Sequence, residues 1–203
     1  MRDENMPRFS SVAISGVPGT GKTTIAKIVK EKLRLKGYEF NLIPVNDLAK
    51  KENLIIGFDE KRNCDIVDVE SLRNIDLDAL KPCILEGHLS HFLNADIIFV
   101  LRCDPIILKE RLKKKGWRKK EKILENLEAE ITDIVSNEAV AIHSIKNVFE
   151  VRTDEFEISE VGEALVKLIA EGKVESKVIS KPKSFLWAKY LDLLSKGELE
   201  KIL

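Results

Sequence analysis

Residues 16–23 read GVPGTGKT, and this segment constrains the chain more than any other feature of its sequence. The spacing G-x-x-x-x-G-K-T is that of a phosphate-binding loop, in which glycines let backbone N–H groups turn inward towards phosphate oxygens. Such a loop follows a strand and begins a helix, whose dipole adds positive potential at its first turn. The apolar residues 10–15 predict that strand, and the spacing of apolar residues in KTTIAKIVKEKLRLKG predicts that helix. We therefore expect a site for a phosphorylated ligand.

The residues of this motif are expected to have different roles in binding phosphate. Gly16, Gly19 and Gly21 shape the backbone. Lys22 is placed to reach β- and γ-phosphates, and the hydroxyl of Thr23 to hold Mg²⁺. A phosphate loop alone does not separate a kinase from an ATPase or a GTPase. The sequence lacks the N-K-x-D motif with which GTPases read their base, and its modest length and charged arms favour a kinase of a nucleotide or another small metabolite.

The rest of the chain predicts the fold. Four further apolar runs, YEFNLIPV, CILEG, DIIFVLR and NVFEVR, suit strands that are covered on both faces, as in parallel sheets. One helix begins at Asp104 and Pro105 and ends at Gly116. Two more are predicted over residues 120–143 and 158–170. Strands that alternate with helices indicate an α/β fold, with a doubly wound five-stranded parallel sheet and helices on both faces.

Composition limits the partners and the compartment. Lys and Arg together number 34, as do Asp and Glu, so the net charge is zero and no global field attracts nucleic acid. The three cysteines show no C-x-x-C spacing, which argues against a zinc site or a disulfide framework. No apolar run approaches the roughly 18 residues of a membrane span, and the start MRDENMPRF lacks the apolar core of a signal peptide. We expect a soluble protein of the cytoplasm.

A second candidate site follows the strand CILEG, where one glycine separates Glu86 from His88. Neighbouring parallel strands end at the same edge of a sheet, so both side chains are expected beside the phosphate loop. A carboxylate there can orient a water on Mg²⁺ or a reacting group. His88 alone would be interpreted as a surface histidine, and the phosphate loop nearby favours a role in the site.

Two charged segments accompany these motifs. Residues 46–69 alternate acidic and basic side chains, which suits either a solvated surface or a flap over a second substrate. Residues 102–122 carry ten basic side chains against three acidic ones. Mobile cations stabilise the charge on a transferring phosphoryl group and exclude water, as a lid does. They also bind RNA phosphates or simply keep a surface soluble, and the sequence leaves these alternatives open.

Taken together, these segments resemble the small adenylate kinases of the isoenzyme 6 type, which are linked to ribosome assembly. The resemblance covers residues 11–170. It is carried by the loop GVPGTGKTT, the run VNDLAKKENLIIGFDEKRNCDIVD, the segment LEGH, and FVLRCDPIILKERLKKKGW with the EN and EI that follow. The later segments are more specific than the loop, because most phosphate-loop kinases lack them.

This resemblance implies that ATP·Mg²⁺ and AMP give two ADP, with slow ATP hydrolysis as a side activity. It implies a kinase core over residues 1–170, with a nucleoside-monophosphate arm at about 44–67 and a short lid at about 114–125. The resemblance does not cover the chain beyond this core, where the shift in composition predicts a linker and a helical tail over 171–203. The residues expected to bind ATP are Gly16, Gly19, Thr20, Gly21, Lys22, Thr23, Thr24, Arg111 and Lys115. Those expected to bind AMP are Asp47, Lys50, Asp59 and Asp68. Those expected to serve catalysis are Lys22, Glu86, His88 and Lys115, with Thr23 and, through water, Glu86 at the metal.

The chain departs from the family pattern at three of these positions. Glu86 stands where the family often has Asp, and Lys50 and Lys115 stand where it often has Arg. Lysine supplies charge without the bidentate fork of arginine, so a looser phosphate grip is expected there. Arg111 and Arg102 are expected to add cations from the side of the lid.

The rival hypothesis is an assembly ATPase, whose nucleotide cycle drives docking of a small-subunit ribosomal protein or of pre-ribosomal RNA. The resemblance supports such a partner, and the basic lid would supply one surface. An amphipathic tail helix would supply another, through Phe185, Leu186, Trp187, Tyr190 and Leu193. A kinase that acts on another small acceptor is a third hypothesis.

Overall fold

The structure is a computed structural model that describes residues 6–183 and 186–202. Its centre is a six-stranded sheet in the order β2-β5-β1-β6-β7-β8, and a separate two-stranded sheet pairs β3 with β4. The strands are β1 (Ser11–Ser15), β2 (Asn41–Pro44), β3 (Ile55–Asp59), β4 (Cys64–Val67), β5 (Cys83–Glu86), β6 (Ile97–Arg102), β7 (Val148–Arg152) and β8 (Ile179–Ser180).

Helices cover both faces of the central sheet. Helices α1 and α7 share one apolar cluster with the sheet, and α2, α3 and α6 share the cluster on its other face. The helices are α1 (Lys22–Leu35), α2 (Val45–Lys51), α3 (Val69–Arg73), α4 (Pro105–Lys114), α5 (Lys120–Ile131), α6 (Ile134–Ile142), α7 (Ile158–Glu171) and α8 (Ala188–Ser195). None of these helices in the described ranges has the length and apolar character needed to cross a membrane.

β1 lies in the middle of the central sheet, with β5 and β2 on one side and β6 and β7 on the other. β1 pairs in parallel with β5 on one side and with β6 on the other. Every residue of β1 and β6 is buried, which explains their continuous apolar sequences. The carboxyl ends of β1, β5 and β6 therefore meet at one edge, where open α/β sheets bind their ligands.

The five predicted parallel strands are present, but the prediction of a five-stranded sheet was incomplete. A sixth strand, β8, pairs antiparallel with β7 at the edge. It lies in the segment KVESKVISKPKS, which the sequence analysis interpreted as a linker. Val178 and Ile179 bury their side chains there. Two apolar residues between lysines are too short a run to predict a strand.

The single helix predicted over residues 120–143 was also wrong, because the structure has two helices there. α5 ends at Ile131, and Asp133 takes a left-handed conformation, with a φ of 55°, before α6 begins. The side chain of Asp133 accepts a hydrogen bond from the buried guanidinium of Arg102. The helix is therefore interrupted at this contact, although the helical spacing of apolar residues continues through it.

Residues 45–73, which follow β2, form a small excursion from the central sheet that is called the arm here. Helix α2 leads into the β3–β4 hairpin, and α3 returns the chain to the core. Asp68 begins α3 as its N-cap, because its carboxylate accepts from the backbone N–H of Ser71 at 3.1 Å. Ile56 and Phe58 on β3 are exposed.

The C-terminal segment packs on α4 and α5. Trp187 and Tyr190 are buried in an apolar cluster with Leu108 and Leu127. The indole N–H of Trp187 donates to Glu130 at 2.9 Å, so the segment is also tied to the core by a buried hydrogen bond. This corrects the expectation that these two aromatic residues supply a docking surface. Phe185, which was grouped with them, lies outside the described residues.

Trp187→Ala should lower the free energy of unfolding by about 3 kcal/mol, because truncating a buried aromatic side chain leaves a cavity. Urea denaturation of wild type and variant measures this loss. Trp117→Ala is a matched control, since Trp117 is only half-buried. An unchanged midpoint for the Trp187 variant would show that the C-terminal segment contributes nothing to the stability of the core.

Candidate active site

The phosphate loop turns between the end of β1 and the start of α1, as its motif requires. Gly16 has a φ of 134°, and a Cβ there would lie 2.5 Å from the carbonyl oxygen of Leu101 on β6. Gly19 has a φ of 95°, and a Cβ there would lie 2.7 Å from Leu108 on α4. Both the backbone conformation and the neighbouring atoms therefore demand glycine at these positions.

Lys22, the first residue of α1, folds over the loop. Its ammonium Nζ donates to the carbonyl oxygens of Gly16 at 2.9 Å and of Val17 at 3.0 Å. Desolvation by the loop lowers the pKa of Lys22 to about 8, although the charge of Glu86 opposes this shift. The cation is thus held at the loop, where a phosphate chain would meet it.

Glu86 ends β5 directly beside β1, where it pairs with Ile14 in the sheet register. One of its carboxylate oxygens, Oε2, is buried and has no hydrogen-bond partner in the described part of the chain. A buried, unpartnered carboxylate oxygen calls for a cation or a water. Thr23, the last residue of the phosphate-loop motif, is exposed, and a hydroxyl with a carboxylate is a donor set that fits a hydrated Mg²⁺ arriving with a nucleotide.

His88 follows Glu86 and opens onto the larger of two cavities beside the loop. Partial desolvation, together with the positive charge of Lys22, lowers the pKa of its imidazole. A neutral imidazole can accept or donate a hydrogen bond, so His88 suits the positioning of a polar ligand group.

A buried histidine connects the loop to the wall of this cavity. His91 lies with Nδ1 2.8 Å from the hydroxyl of Ser15, which immediately precedes the loop, and with Nε2 3.1 Å from a carboxylate oxygen of Glu138 on α6. The Ser15 hydroxyl also donates to the backbone oxygen of His88 at 3.1 Å. His143 contacts the backbone oxygen of His91 at 2.7 Å. Sequence reasoning missed this cluster, since its members are far apart along the chain.

The larger cavity has a volume of about 570 Å³ and lies between the phosphate loop, the arm and α5. Its walls combine aromatic, basic, acidic and amide side chains. They include Val17, Pro18, Arg62, Cys64, His88, Phe92, Trp117, Lys122, Glu125, Asn126 and Glu138. Such a mixture of apolar area and a few polar groups is typical of a pocket for a small organic ligand.

Three of the four residues predicted to bind AMP have partners within the arm. Lys50 pairs with Asp65 at 3.1 Å, Asp59 accepts from Arg62, and Asp68 caps α3. Asp47 is exposed on the first turn of α2. None of the four is among the described residues that line the larger cavity.

A smaller cavity of about 270 Å³ lies on the other side of the loop. Its lining contains six of the residues predicted to bind ATP: Gly19, Thr20, Gly21, Thr24, Arg111 and Lys115. Gly16 lies in the loop, and Lys22 and Thr23 are the first two residues of α1. Lys114, Thr153 and Ile158 also line this cavity.

Thr153, which sequence reasoning missed, orders this side of the site. Its hydroxyl donates to the backbone oxygen of Thr20 in the loop at 2.9 Å. Arg111 donates to both the hydroxyl and the backbone oxygen of Thr153. Its position at the carboxyl end of NVFEVR was the available signal, because that end of a parallel strand faces the ligand edge.

Arg102 does not supply a cation to the site, and this expectation was wrong. It is the last residue of β6, it is fully buried, and it pairs with Glu130, Asp133 and Glu150. Three carboxylates hold the guanidinium in the core. The exposed cations of the predicted lid, which include Lys115 after α4, remain on the surface.

Several known proteins are similar to this chain in sequence. A family model described as an AAA domain matches residues 12–133. A protein of Archaeoglobus fulgidus named "Putative adenylate kinase" is 42% identical over 182 residues, which cover 89% of this chain and 93% of the relative. A protein of the same name from Methanocaldococcus jannaschii is 35% identical over 189 residues, covering 91% of this chain and 97% of the relative.

Among solved structures, the fold is similar to that of shikimate kinase from Acinetobacter baumannii in complex with shikimate. The TM-score is 0.55 at 13% sequence identity, with 83% of this chain and 97% of the kinase covered. A likeness at this identity concerns the fold alone.

His91→Gln should make the fold less sensitive to acid. Burial lowers the pKa of His91 to about 4 from 6.5. Between these values the unfolded chain binds a proton that the folded chain does not, so stability present above pH 6.5 is lost as the pH falls towards 4. The loss attributable to His91 is about 3 kcal/mol.

The measurement is the free energy of unfolding at neutral pH and at roughly pH 4.5, for wild type and variant. The variant should lose less stability than wild type over this interval. Equal losses would contradict the burial of a neutral imidazole at this position.

Proposed function

This chain belongs to the adenylate kinase family of its archaeal relatives, and on that premise we propose that it transfers the γ-phosphate of ATP to AMP, giving two ADP. The observation that carries the proposal is a single phosphate loop bordered by two cavities. Gly19 and Gly21 line the smaller one, and Val17 and Pro18 line the larger one. A γ-phosphate on this loop would therefore lie between a donor site and an acceptor site.

The smaller cavity suits the ATP donor. The loop glycines offer backbone N–H groups to the phosphates. Arg111 and Lys115 in the cavity lining, and Lys22 on the loop, offer positive charge around them. When bound with ATP, Mg²⁺ supplies further neutralisation of the phosphate charge. Thr23 would hold this ion, and Glu86 would hold it through water, as the unpartnered Oε2 supports.

The larger cavity suits the AMP acceptor. Its volume of about 570 Å³ falls within the range of roughly 300–1,000 Å³ that is usual for small ligands. Trp117 and Phe92 offer aromatic surface for a base, while Arg62 and Lys122 offer positive charge for a phosphate. These four residues, rather than the four predicted from the arm, become the proposed acceptor contacts.

The chemistry requires placement rather than a covalent intermediate. An oxygen of the AMP phosphate forms a bond to the γ-phosphorus, while the bond from that phosphorus to the bridging oxygen of ADP breaks. Lys22 and Lys115 stabilise the negative charge on the transferring group. His88 positions the acceptor, since it faces the larger cavity beside the loop.

The proposal is tested by ADP formation from ATP and Mg²⁺ with AMP present and absent, together with release of inorganic phosphate. ADP formation that depends on AMP, with little free phosphate, is the expected result. A panel of other nucleoside monophosphates, and shikimate as an unrelated small acceptor, tests the choice of AMP. Activity with another acceptor but not with AMP would overturn it.

A second candidate function is ATP hydrolysis that drives docking of a small-subunit ribosomal protein or of pre-ribosomal RNA. The exposed apolar side chains of Ile56 and Phe58 on the arm favour a macromolecular partner. The exposed Arg118 and Lys119 would add charge for RNA. Phosphate release that is indifferent to AMP would favour this second function.

Lys22→Ala should reduce turnover by about 100-fold or more, because the loop loses the cation that faces the transferring phosphoryl group. Steady-state ADP formation measures the effect. Lys27→Ala is the matched control, since Lys27 is exposed on the same helix. Near-normal turnover of the Lys22 variant would contradict the assignment of this loop to catalysis.

His88→Ala should lower kcat by roughly 100-fold while leaving the affinity for ATP nearly unchanged, because His88 faces the larger cavity. Turnover and equilibrium binding of ATP are compared on the same preparations. A large loss of ATP binding would instead place His88 among the donor contacts.

A further inference from the structure

The tip of the arm reaches across the mouth of the larger cavity to α5. Arg62, in the turn between β3 and β4, lies with Nε 3.5 Å from a carboxylate oxygen of Glu125. Both side chains line the cavity, and they are 56% and 40% exposed respectively. Two elements that are distant in sequence therefore meet at the entrance through one ion pair.

Arg62 is presented to the cavity by its own turn. Its backbone N–H donates to Asp59 at 2.9 Å, and its Nη1 donates to the other carboxylate oxygen of Asp59 at 3.1 Å. Asn63 follows in a left-handed conformation, with a φ of 50°, that turns the chain back into β4. This arrangement fixes one side of the guanidinium and directs Nε towards α5.

We infer that Arg62 binds the phosphate of the acceptor, and that Glu125 occupies the same guanidinium until the acceptor displaces it. This inference rests on the proposed function, because it requires an anionic acceptor in the larger cavity. Arg62 would then be a specificity-determining residue, and Glu125 would be a built-in competitor.

The ion pair is weak enough for such an exchange. Exposed ion pairs contribute little to stability, since water and salt screen them. A phosphate offers several acceptor oxygens and up to two negative charges, and arginine binds it with parallel hydrogen bonds. A phosphate therefore competes well against one carboxylate at 3.5 Å.

The two neighbouring lysines offer charge without the bidentate fork of arginine. Lys50, on the arm, already pairs with Asp65 and does not line the cavity among the described residues. Lys122 lines the cavity, and its Nζ lies 5.4 Å from the centre of the Trp117 ring, beside the surface proposed for the base. Arg62, in contrast, lines the cavity from the arm and forms an ion pair with Glu125 on α5.

If AMP displaces Glu125 from Arg62, substitutions of these two residues should change the affinity for AMP in opposite directions. Arg62→Ala should raise the KM and the Kd for AMP about 10- to 100-fold, because a charge-assisted contact to phosphate is lost. Glu125→Gln should lower both about two- to fivefold, because the competing carboxylate is removed. The KM for ATP should be unchanged in both variants.

Matched controls are Lys61→Ala in the same turn and Glu121→Gln on the same helix, since both residues are exposed and neither lines the cavity. Binding of AMP is measured by titration calorimetry, and thermal unfolding checks that each variant is folded. A merely structural ion pair would change AMP binding in the same direction for both variants.

The outcomes separate this inference from the proposed function. If wild type binds AMP and Arg62→Ala leaves that binding unchanged, the inference fails and the proposed function stands. If Glu125→Gln weakens AMP binding, the idea of a competitor is contradicted. If wild type neither binds AMP nor forms ADP from it, both fail together.

Discussion

The fit of the phosphate loop between β6 and α4 is the constraint on which the rest of this structure depends. A side chain at Gly16 would collide with the backbone of β6, and one at Gly19 would collide with leucines of α4. The strand order places β6 beside β1, so the loop that leaves β1 passes close to the backbone of β6. That same order delivers Glu86 and His88 on the opposite side, from β5. The two cavities thus share one loop as a consequence of topology.

A buried charge network at the end of β6 joins several elements of the core. The guanidinium of Arg102 joins Glu130 on α5, Asp133 between α5 and α6, and Glu150 on β7. Trp187 donates to Glu130 and so extends the network to the C-terminal segment. Removing one member of such a network leaves a buried charge without its partner, which is strongly destabilising. This buried network contrasts with the exposed ion pair between Arg62 and Glu125, whose partners separate at little cost in free energy.

The sequence predicted most of what local patterns determine. The phosphate loop, the five parallel strands and the position of Glu86 at the end of a strand follow from apolar runs and one motif, and the structure agrees with them. The break at Asp133 could not be predicted, because it arises from a contact with Arg102 that is distant in sequence. For the same reason Arg102 was expected to offer a cation to the site, although its partners hold it in the core.

The acceptor side shows a second limit of sequence reasoning. The sequence predicted that charged residues of the arm bind AMP, and the structure pairs one of them, Lys50, with Asp65. Only the three-dimensional arrangement brings Trp117 and Phe92 to one cavity with Arg62. A charge alternation indicates where a polar surface lies, and it does not indicate which side chains remain available to a ligand.

The most direct test of the account is the binding of a compound in which two adenosines are joined by a chain of five phosphates. If one loop separates a donor cavity from an acceptor cavity, a single molecule should bind per chain and should compete with both ATP and AMP. Titration calorimetry gives the stoichiometry, and displacement by each nucleotide gives the competition. Binding that ATP displaces and AMP does not would contradict the assignment of the larger cavity to the acceptor.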